Sequence, residues 1–598
     1  MHRSVLLAAG LVLAACAGGS DDATSVPTDD AAVDPSDPSG DVPLDADEPT
    51  GNPTTDTGDG TGEDAVDADV DDDVGTDSPA DELPTEAAPE PLTDPSRGGT
   101  LTVLLEAESD TWDIPNANCA TSCITVMQQI ADPLLAVNDS GELEPFLLED
   151  VEISDDLTTW TLTMRPDVVF HDGTAADGAA VQRHLREYAA GIVQSQAYRT
   201  LEGGPAAGEG IELLDDMTVR VTFDEPNAAF GHQLASWSGW LLAPSFWDDE
   251  SPTALPIATG PFEMIEWSRN EITRLRASTD YWRTSESGAP LPYLDGIDFR
   301  PVPDVSARRA IMEAGDADVN VDSFPENLAF WTGDWVSAGN SLARVDPDRD
   351  VEYLLLNASR SPFSDREFRR ALAACTDREE YLAFRAPGME LASGPFAAGS
   401  LGFTDETDFP EFDPDAASAM LDELGRPDDL VIGTTNVPSQ QLTAELLVDQ
   451  WLVNCDLEVA IDVFEQSEYI TRALVADYDL LVWRNHGQGY PAMESVWWHS
   501  RHTEGLATNF GRIVDDDIDR LLDQLAATVD PVEVDRLGQE ITRVFGSEVY
   551  NIWLNTGAWA VPVRQGVFGV GTVEMPSGEQ IRGAIGGRLW LHEAWLAS

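Results

Sequence analysis

No aromatic side chain occurs between Ala17 and Arg97, and the same stretch carries 25 acidic residues against one basic one. Ordering a backbone costs roughly 1–2 kcal/mol per residue, and burial of apolar surface is what offsets that cost. A segment made almost entirely of Asp, Glu, Pro, Gly, Thr, Ser, Ala and Val has little such surface to bury. Asp71-Asp72-Asp73 and Pro84-Thr85-Glu86-Ala87-Ala88-Pro89-Glu90 are representative. Residues 17–97 therefore read as a disordered acidic linker. About 80 residues of flexible chain have an end-to-end distance of roughly 50 Å, and self-repulsion extends it. Carboxylates without a fixed loop geometry hold calcium weakly, so the linker reads as a spacer. A core must come from the residues that follow.

Residues 1–16 read as a processing signal. Arg3 precedes an apolar run from Val5 to Leu13, which ends in Leu13-Ala14-Ala15-Cys16. The run is too short to span a bilayer, which takes about 20 apolar residues. Small residues directly before a Cys resemble the bacterial lipobox, which would make Cys16 a diacylated N-terminus. An ordinary secretory signal with an incidental Cys is the alternative. The expectation is a protein on the extracytoplasmic face of the cell membrane, attached through its lipid only.

The chain has 598 residues, with 33 basic and 110 acidic side chains and a formal net charge of −77. All of the basic residues are Arg. Schiff-base catalysis and Lys-based phosphate cradles are thereby excluded. Nucleic acid is excluded as a partner, because its phosphates need cations. Adhesion to anionic lipid is disfavoured for the same reason. Such a charge serves solubility and is tolerable where salt screens it.

Structure is expected from Gly98-Gly99-Thr100 onward, with Leu101–Leu105 a buried strand. Thr158–Arg165 alternates as a half-buried strand, Val181–Tyr188 belongs to an amphipathic helix, and Met217–Phe223 is a strand. Phe262–Trp267 and Ile272–Ala277 read as a hairpin. Arg366–Cys375 is helical by spacing, with Phe368, Leu372 and Cys375 on one face. Asp413-Pro414-Asp415 opens a further helix that Gly425 closes. Interleaved strands and helices predict an α/β chain with parallel sheets.

Four segments in fixed order then carry a resemblance. The first is Asp132-Pro133-Leu134-Leu135, Leu143-Glu144-Pro145-Phe146-Leu147, Thr158–Leu162 and the run Arg165-Pro166-Asp167-Val168-Val169-Phe170-His171-Asp172-Gly173-Thr174. The second is Ala258-Thr259-Gly260-Pro261-Phe262 with Asp280-Tyr281-Trp282 and Leu294-Asp295-Gly296-Ile297. The third is Leu356-Asn357, Pro362-Phe363-Ser364-Asp365, Arg369-Arg370-Ala371-Leu372 and Thr376-Asp377-Arg378. The fourth is Val534-Asp535-Arg536-Leu537 with Tyr550-Asn551-Ile552-Trp553. The chain thus resembles the family-5 extracellular solute-binding proteins of ABC importers, the dipeptide-, oligopeptide- and nickel-binding group.

The resemblance implies a type II periplasmic-binding-protein-like fold of the large cluster C kind, with two lobes and a ligand cleft between them. The larger lobe would take residues 98–348 and 549–598, and the smaller one residues 349–548. The chain would cross near Tyr353–Asn357 and near Trp553–Trp559. It implies a monomer without cofactor or metal that captures a peptide-like or other small solute and hands it to a permease and ATPase complex. An oligosaccharide importer component, or a surface sensor or adhesin with the same fold, are the alternatives. A secreted hydrolase is disfavoured: there is no Gly-x-Ser-x-Gly elbow and no His-Glu-x-x-His helix. His171-Asp172-Gly173 reads as a turn rather than a dyad.

The ligand site is expected where the buried strand Tyr478–Trp483 runs into a Gly-rich loop. Candidate contacts are Trp483, Arg484, His486, Gln488, Gly489, Trp497 and Trp498. Arg suits a carboxylate or phosphate, and Trp faces suit rings, apolar groups or cations. In peptide-binding relatives the corresponding loop reads roughly Ala-Asp-Tyr-Pro, its Asp pairing with the peptide's ammonium group. Here Gly489 stands before Tyr490-Pro491, so that anchor is missing, although Glu494 offers a nearby carboxylate. His486, His499 and His502 invite a metal, but Arg501 between the last two disfavours a cation, and they read as packing or surface residues. Cys119, Cys123, Cys375 and Cys455 read as disulfide candidates. Of the three connectivities, Cys119–Cys123 with a lobe-internal Cys375–Cys455 is the simplest.

Overall fold

The computed structural model describes residues 95–597 apart from 118, 192–196, 250, 252, 347–349, 486–489, 506 and 586. Cys16 and residues 17–94 of the expected linker lie outside the described residues. The last linker residues are held against the folded part. The Ser96 hydroxyl donates to the Leu596 carbonyl, and Arg97 donates to the Pro292 carbonyl at 3.3 Å with its guanidinium over the Tyr293 ring.

Two sheets define two lobes. The first has seven strands in the order Ser341–Asp346, Trp559–Val563, Val319–Asn320, Thr100–Leu105, Gly296–Pro301, Ile272–Ala277 and Phe262–Ser268. Only Thr100–Leu105 pairs parallel with its neighbours, and the other pairs are antiparallel. The second has five strands: Val459–Phe464, Leu430–Thr435, Leu480–Asn485, Val351–Leu356 and Asn551–Thr556. Its first three are parallel and its last two join antiparallel. The expected parallel sheets are therefore mixed. Antiparallel neighbours need only a tight turn, and Phe262–Ser268 reaches Ile272–Ala277 through Asn270 in left-handed conformation (φ 61°). A four-stranded antiparallel sheet flanks the first lobe, and in its strand Thr159–Met164 the residues Trp160, Leu162 and Met164 point inward.

Local chemistry starts and stops the helices. The Asp365 carboxylate accepts from the Glu367 amide at 2.9 Å and opens Arg366–Cys375, whose Phe368, Leu372 and Cys375 are all buried. Asp413 accepts from the Ala416 amide at 3.0 Å and opens Pro414–Leu424, which stops at Gly425 with φ 91°. Each such cap contributes about 1 kcal/mol. Cys375 is bonded to Cys455, the last residue of helix Pro438–Cys455, and Cys119 is bonded to Cys123 at the start of helix Thr121–Ile130.

The chain passes from the first sheet to the second between Asp346 and Val351, and back between Thr556 and Trp559. The Gly557 amide donates to the Asp350 carbonyl at 2.7 Å, which ties the two crossings together. The strand Asn551–Thr556, which the expected boundary at 549 assigns to the larger lobe, pairs along Val351–Leu356 in the second sheet.

Candidate ligand-binding cleft

Strand alternation builds the floor of the cleft. In the second sheet Leu354, Leu356, Leu480, Val482, Ile552 and Leu554 point to one face, under helices that contribute Phe368, Leu372 and Trp451. Tyr353, Leu355, Leu481, Trp483, Asn551 and Trp553 are the alternating set on the other face. Register aligns them in two cross-strand rows, Trp483–Tyr353–Trp553 and Leu481–Leu355–Asn551.

Aromatic rings wall the space above this floor. Trp483 stacks on Tyr469 at 5.2 Å between centroids, and Phe510 meets its edge at 5.1 Å. Phe510 lies 5.4 Å from Trp497, which in turn meets Trp237 of the first lobe edge-on at 6.4 Å. The cavity so formed is partly open to solvent and is bounded on the first-lobe side by Ala117, Cys119 and Ala120. A second cavity, also partly open, adjoins it across Trp483 and Arg484. That one is richer in polar groups, with Glu106, Ser122, Thr435, Gln440 and Gln466 set among Phe324, Val437 and Trp559.

Arg484 stands between the two cavities. Its guanidinium lies over the Trp559 ring at 4.9 Å and reaches Glu106 of the first lobe at 3.9 Å. Glu106 also accepts from the Ser323 amide at 2.7 Å, the Ser323 hydroxyl at 2.9 Å and Arg308 at 3.3 Å. The Trp559 indole donates to Asp350 at 2.6 Å. Burial raises the carboxyls of Asp350 and Glu352 above their ordinary values, and in both cases the charge of Arg484 is the largest opposing influence. One guanidinium thus serves three carboxylates of the protein, and removing any partner from such a cluster exposes the others to uncompensated burial. Its charge is committed before a ligand anion arrives. Nearby, burial pushes the Tyr353 phenol up, and the charge of buried Glu494 adds to it.

The lobes also meet at the rim. His232 of the first lobe stacks on Tyr490 at 3.9 Å with ring planes 5° apart, Arg501 pairs with Glu225 at 2.8 Å, and the Ala228 amide donates to the Ala526 carbonyl at 2.9 Å.

Of the residues singled out in the sequence, Trp483 and Arg484 line both cavities, and Trp497 and Trp498 line the aromatic one. Trp498 doubles as core, packed on Phe545 at 4.9 Å and Phe396 at 6.0 Å. His486, Gln488 and Gly489 lie outside the described residues. His499 sits between Asp519 and Asp523, at 3.2 Å from each, with Arg501 at 2.8 Å from its Nε2. His502 is pushed down to about 3 by burial and by Arg199. Among the described residues no group of three or more His, Cys, Asp or Glu side chains is arranged to hold a metal ion. His171-Asp172-Gly173 forms a turn, in which the Gly173 amide donates to the Phe170 carbonyl at 2.8 Å and Asp172 accepts from the Thr174 amide at 2.9 Å. Tyr353, Phe510, Asn551, Trp237 and Glu106 complete the cleft and escaped the reading of the sequence. A period-two pattern marks Tyr353 and Asn551 as facing one side of a strand, but nothing local says which side is the cleft.

The family profile described as bacterial extracellular solute-binding proteins, family 5 (Middle), matches residues 142–506. The chain belongs to that family. Over 307 residues it is 26% identical to the glutathione-binding protein GsiB of Pectobacterium atrosepticum, a match that covers 51% of this chain and 57% of that protein. The chain spans less than two thirds of the length of the curated relatives it matches. The oligopeptide-binding protein AppA from Bacillus subtilis, solved with a nonapeptide, superposes with a TM-score of 0.70 at 18% identity over 84% of this chain and 100% of that one. The binding protein AgaA from A. tumefaciens R10, solved with agropinic acid, does so with 0.68 at 24% identity over 80% and 95%. At these identities the likeness is one of fold: two-lobed periplasmic binding proteins. As a family-5 solute-binding protein the chain belongs outside the cytoplasm, and no described helix is long and apolar enough to cross a membrane.

Proposed function

We propose that the protein is the solute-binding component of an ABC importer, tethered by lipid at Cys16, with residues 17–97 as spacer and two lobes that close on a small peptide-like solute. The observation that carries this reading is the cleft itself. It is bounded by both lobes and divided into an aromatic cavity and one that mixes apolar walls with Glu106, Thr435, Gln440 and Gln466, a shape that suits a solute with one ring-bearing or apolar end and one end that carries polar groups. The relative named for glutathione and the two proteins solved with a nonapeptide and with agropinic acid support a small solute over a macromolecule. The two crossings supply the hinge, and closure creates the surface that a permease and its ATPase would read. Trp483 and Trp497 offer the solute their faces, while Arg484 holds the lobes through Glu106. The protein acts by binding rather than by chemistry.

Mass spectrometry of small molecules released from the protein purified from its native host tests the reading. Calorimetric titration with free and N-acetylated peptides then completes the test. A released solute that rebinds unchanged is the expected result. Because Gly489 replaces the ammonium-pairing Asp of peptide-binding relatives, acetylated peptides should bind at least as tightly as free ones. Absence of any released or rebinding solute, or turnover of the added compounds, overturns the proposal.

A further inference from the structure

Asn551 lines the aromatic cavity, and its buried side-chain oxygen lacks a hydrogen-bond partner among the described residues. Asn551 begins the strand Asn551–Thr556 and stands in the row Leu481–Leu355–Asn551 on the cleft face of the sheet. Its side chain is 1% exposed and lines the cavity. Its Oδ1 accepts no hydrogen bond among the described residues. The same strand gives its other amide side chain a partner at each end: Asn555 accepts from the Tyr381 hydroxyl at 3.0 Å and donates to the Thr556 carbonyl at 3.0 Å. Thr508, also at the cavity wall, spends its hydroxyl on the Val496 carbonyl. A buried acceptor without a donor is costly, and an aliphatic residue would complete this row without that cost. The orphan oxygen is accounted for if the donor arrives with the solute.

We propose that the aromatic cavity is the subsite for a ring that carries its own N–H or O–H donor, an indole or a phenol, and that Asn551 Oδ1 accepts that hydrogen bond. This rests on the solute-binding reading and narrows it to a ligand class. The walls suit a flat ring: Tyr353, Trp483, Trp497 and Phe510 present faces and edges of the kind that pack against aromatics. An anionic end group is disfavoured, since the charge of Arg484 is already committed to Glu106. A purely hydrocarbon end group would fill the space and leave the oxygen unsatisfied. A site built around a hydrogen bond discriminates against analogues that lack the donor far more sharply than a greasy pocket discriminates by size.

The test is calorimetric titration of the purified full chain with N-acetyl-tryptophanamide, N-acetyl-tyrosinamide, N-acetyl-phenylalaninamide and the 1-methyl-tryptophan analogue of the first. The indole and phenol probes are expected to bind about tenfold more tightly than the phenylalanine probe, and methylation of the indole nitrogen should erase the advantage. In Asn551→Leu the gap should close through loss of the indole and phenol probes, with the phenylalanine probe bound as well as before or better. The methylated probe reads the same hydrogen bond on the unaltered protein, so the conclusion does not depend on that variant folding. Equal affinity for all four probes (the result if a water satisfies the oxygen), a gap that survives methylation, or no binding by any probe overturns the assignment. A released native solute combined with no donor preference defeats this subsite alone. The absence of any solute defeats the wider proposal.

Discussion

Replacing Arg484 by Met should destabilise the protein in a pH-dependent way. Met keeps most of the volume against Trp559 but removes the charge that Glu106, Asp350 and Glu352 share. Breaking a buried pair by deleting one partner costs about 3–5 kcal/mol. Arg484 retains 23% exposure and Glu106 14%, so the lower end, about 3 kcal/mol, is the appropriate figure. Unfolding entropy near 2.1 cal/mol/K per residue gives about 1 kcal/mol/K for residues 95–597, so the melting temperature should fall by about 3 °C at pH 7.5. The sign of the pH effect follows from burial. The carboxyls of Asp350 and Glu352 have folded-state pKa values raised above the ordinary 3.8 and 4.5. Each favours folding below its ordinary value, and that contribution is lost as pH rises through the higher folded-state value. Without Arg484 both values rise further. The deficit of the variant against wild type is therefore largest at neutral pH and shrinks as pH falls toward 4.5. Differential scanning calorimetry of both proteins at pH 7.5, 6.5, 5.5 and 4.5 measures it. A deficit that stays constant across this range, or no deficit at all, would refute the claim that one guanidinium neutralises these carboxylates.

Three further outcomes are expected. Cys16→Ala should release the protein into the medium or leave it unprocessed, read by fractionation and mass of the N-terminus, because acyl chains on that thiol are its proposed anchor. Deletion of residues 17–94 should leave the melting temperature within about 1 °C of the full chain, since that segment has no aromatic residue and little apolar surface to give a core. Cys375 and Cys455 are 80 positions apart, so a Cys375→Ser, Cys455→Ser double variant should lose about 4 kcal/mol in denaturant unfolding, whereas opening the bond between Cys119 and Cys123, 4 positions apart, should cost about half of that.

What could be read from the sequence and what could not separate along the range of the interaction. Asp365 and Asp413 announce helix starts because a carboxylate and an amide two or three residues on are enough to make a cap. Thr159–Met164 announces a half-buried strand because its alternation is internal to six residues. Trp483 and Arg484 were accessible as cleft residues because a buried strand ending in a Gly-rich loop is itself local. Strand direction is a different kind of fact. Whether Val351–Leu356 joins its neighbours parallel or antiparallel depends on where residues 480–485 and 551–556 return, and neither segment carries a mark of its partner. The same holds for the division at 549, since an all-buried strand at Asn551–Thr556 fits either lobe until its register is known. Asn551 is the sharpest case. In the sequence it stands in an unremarkable Tyr-Asn-Ile-Trp run, and an Asn in a buried strand reads as a residue bonded somewhere in the sheet. Its meaning appears only when register brings it beside Leu355, in a row with Leu481, two aliphatic neighbours that offer no donor, while Asn555 on the same strand finds both of its partners. A polar group unpaired among the described residues around it is a property of three strands and a cavity wall together, and that is why ligand chemistry is the last thing a sequence yields.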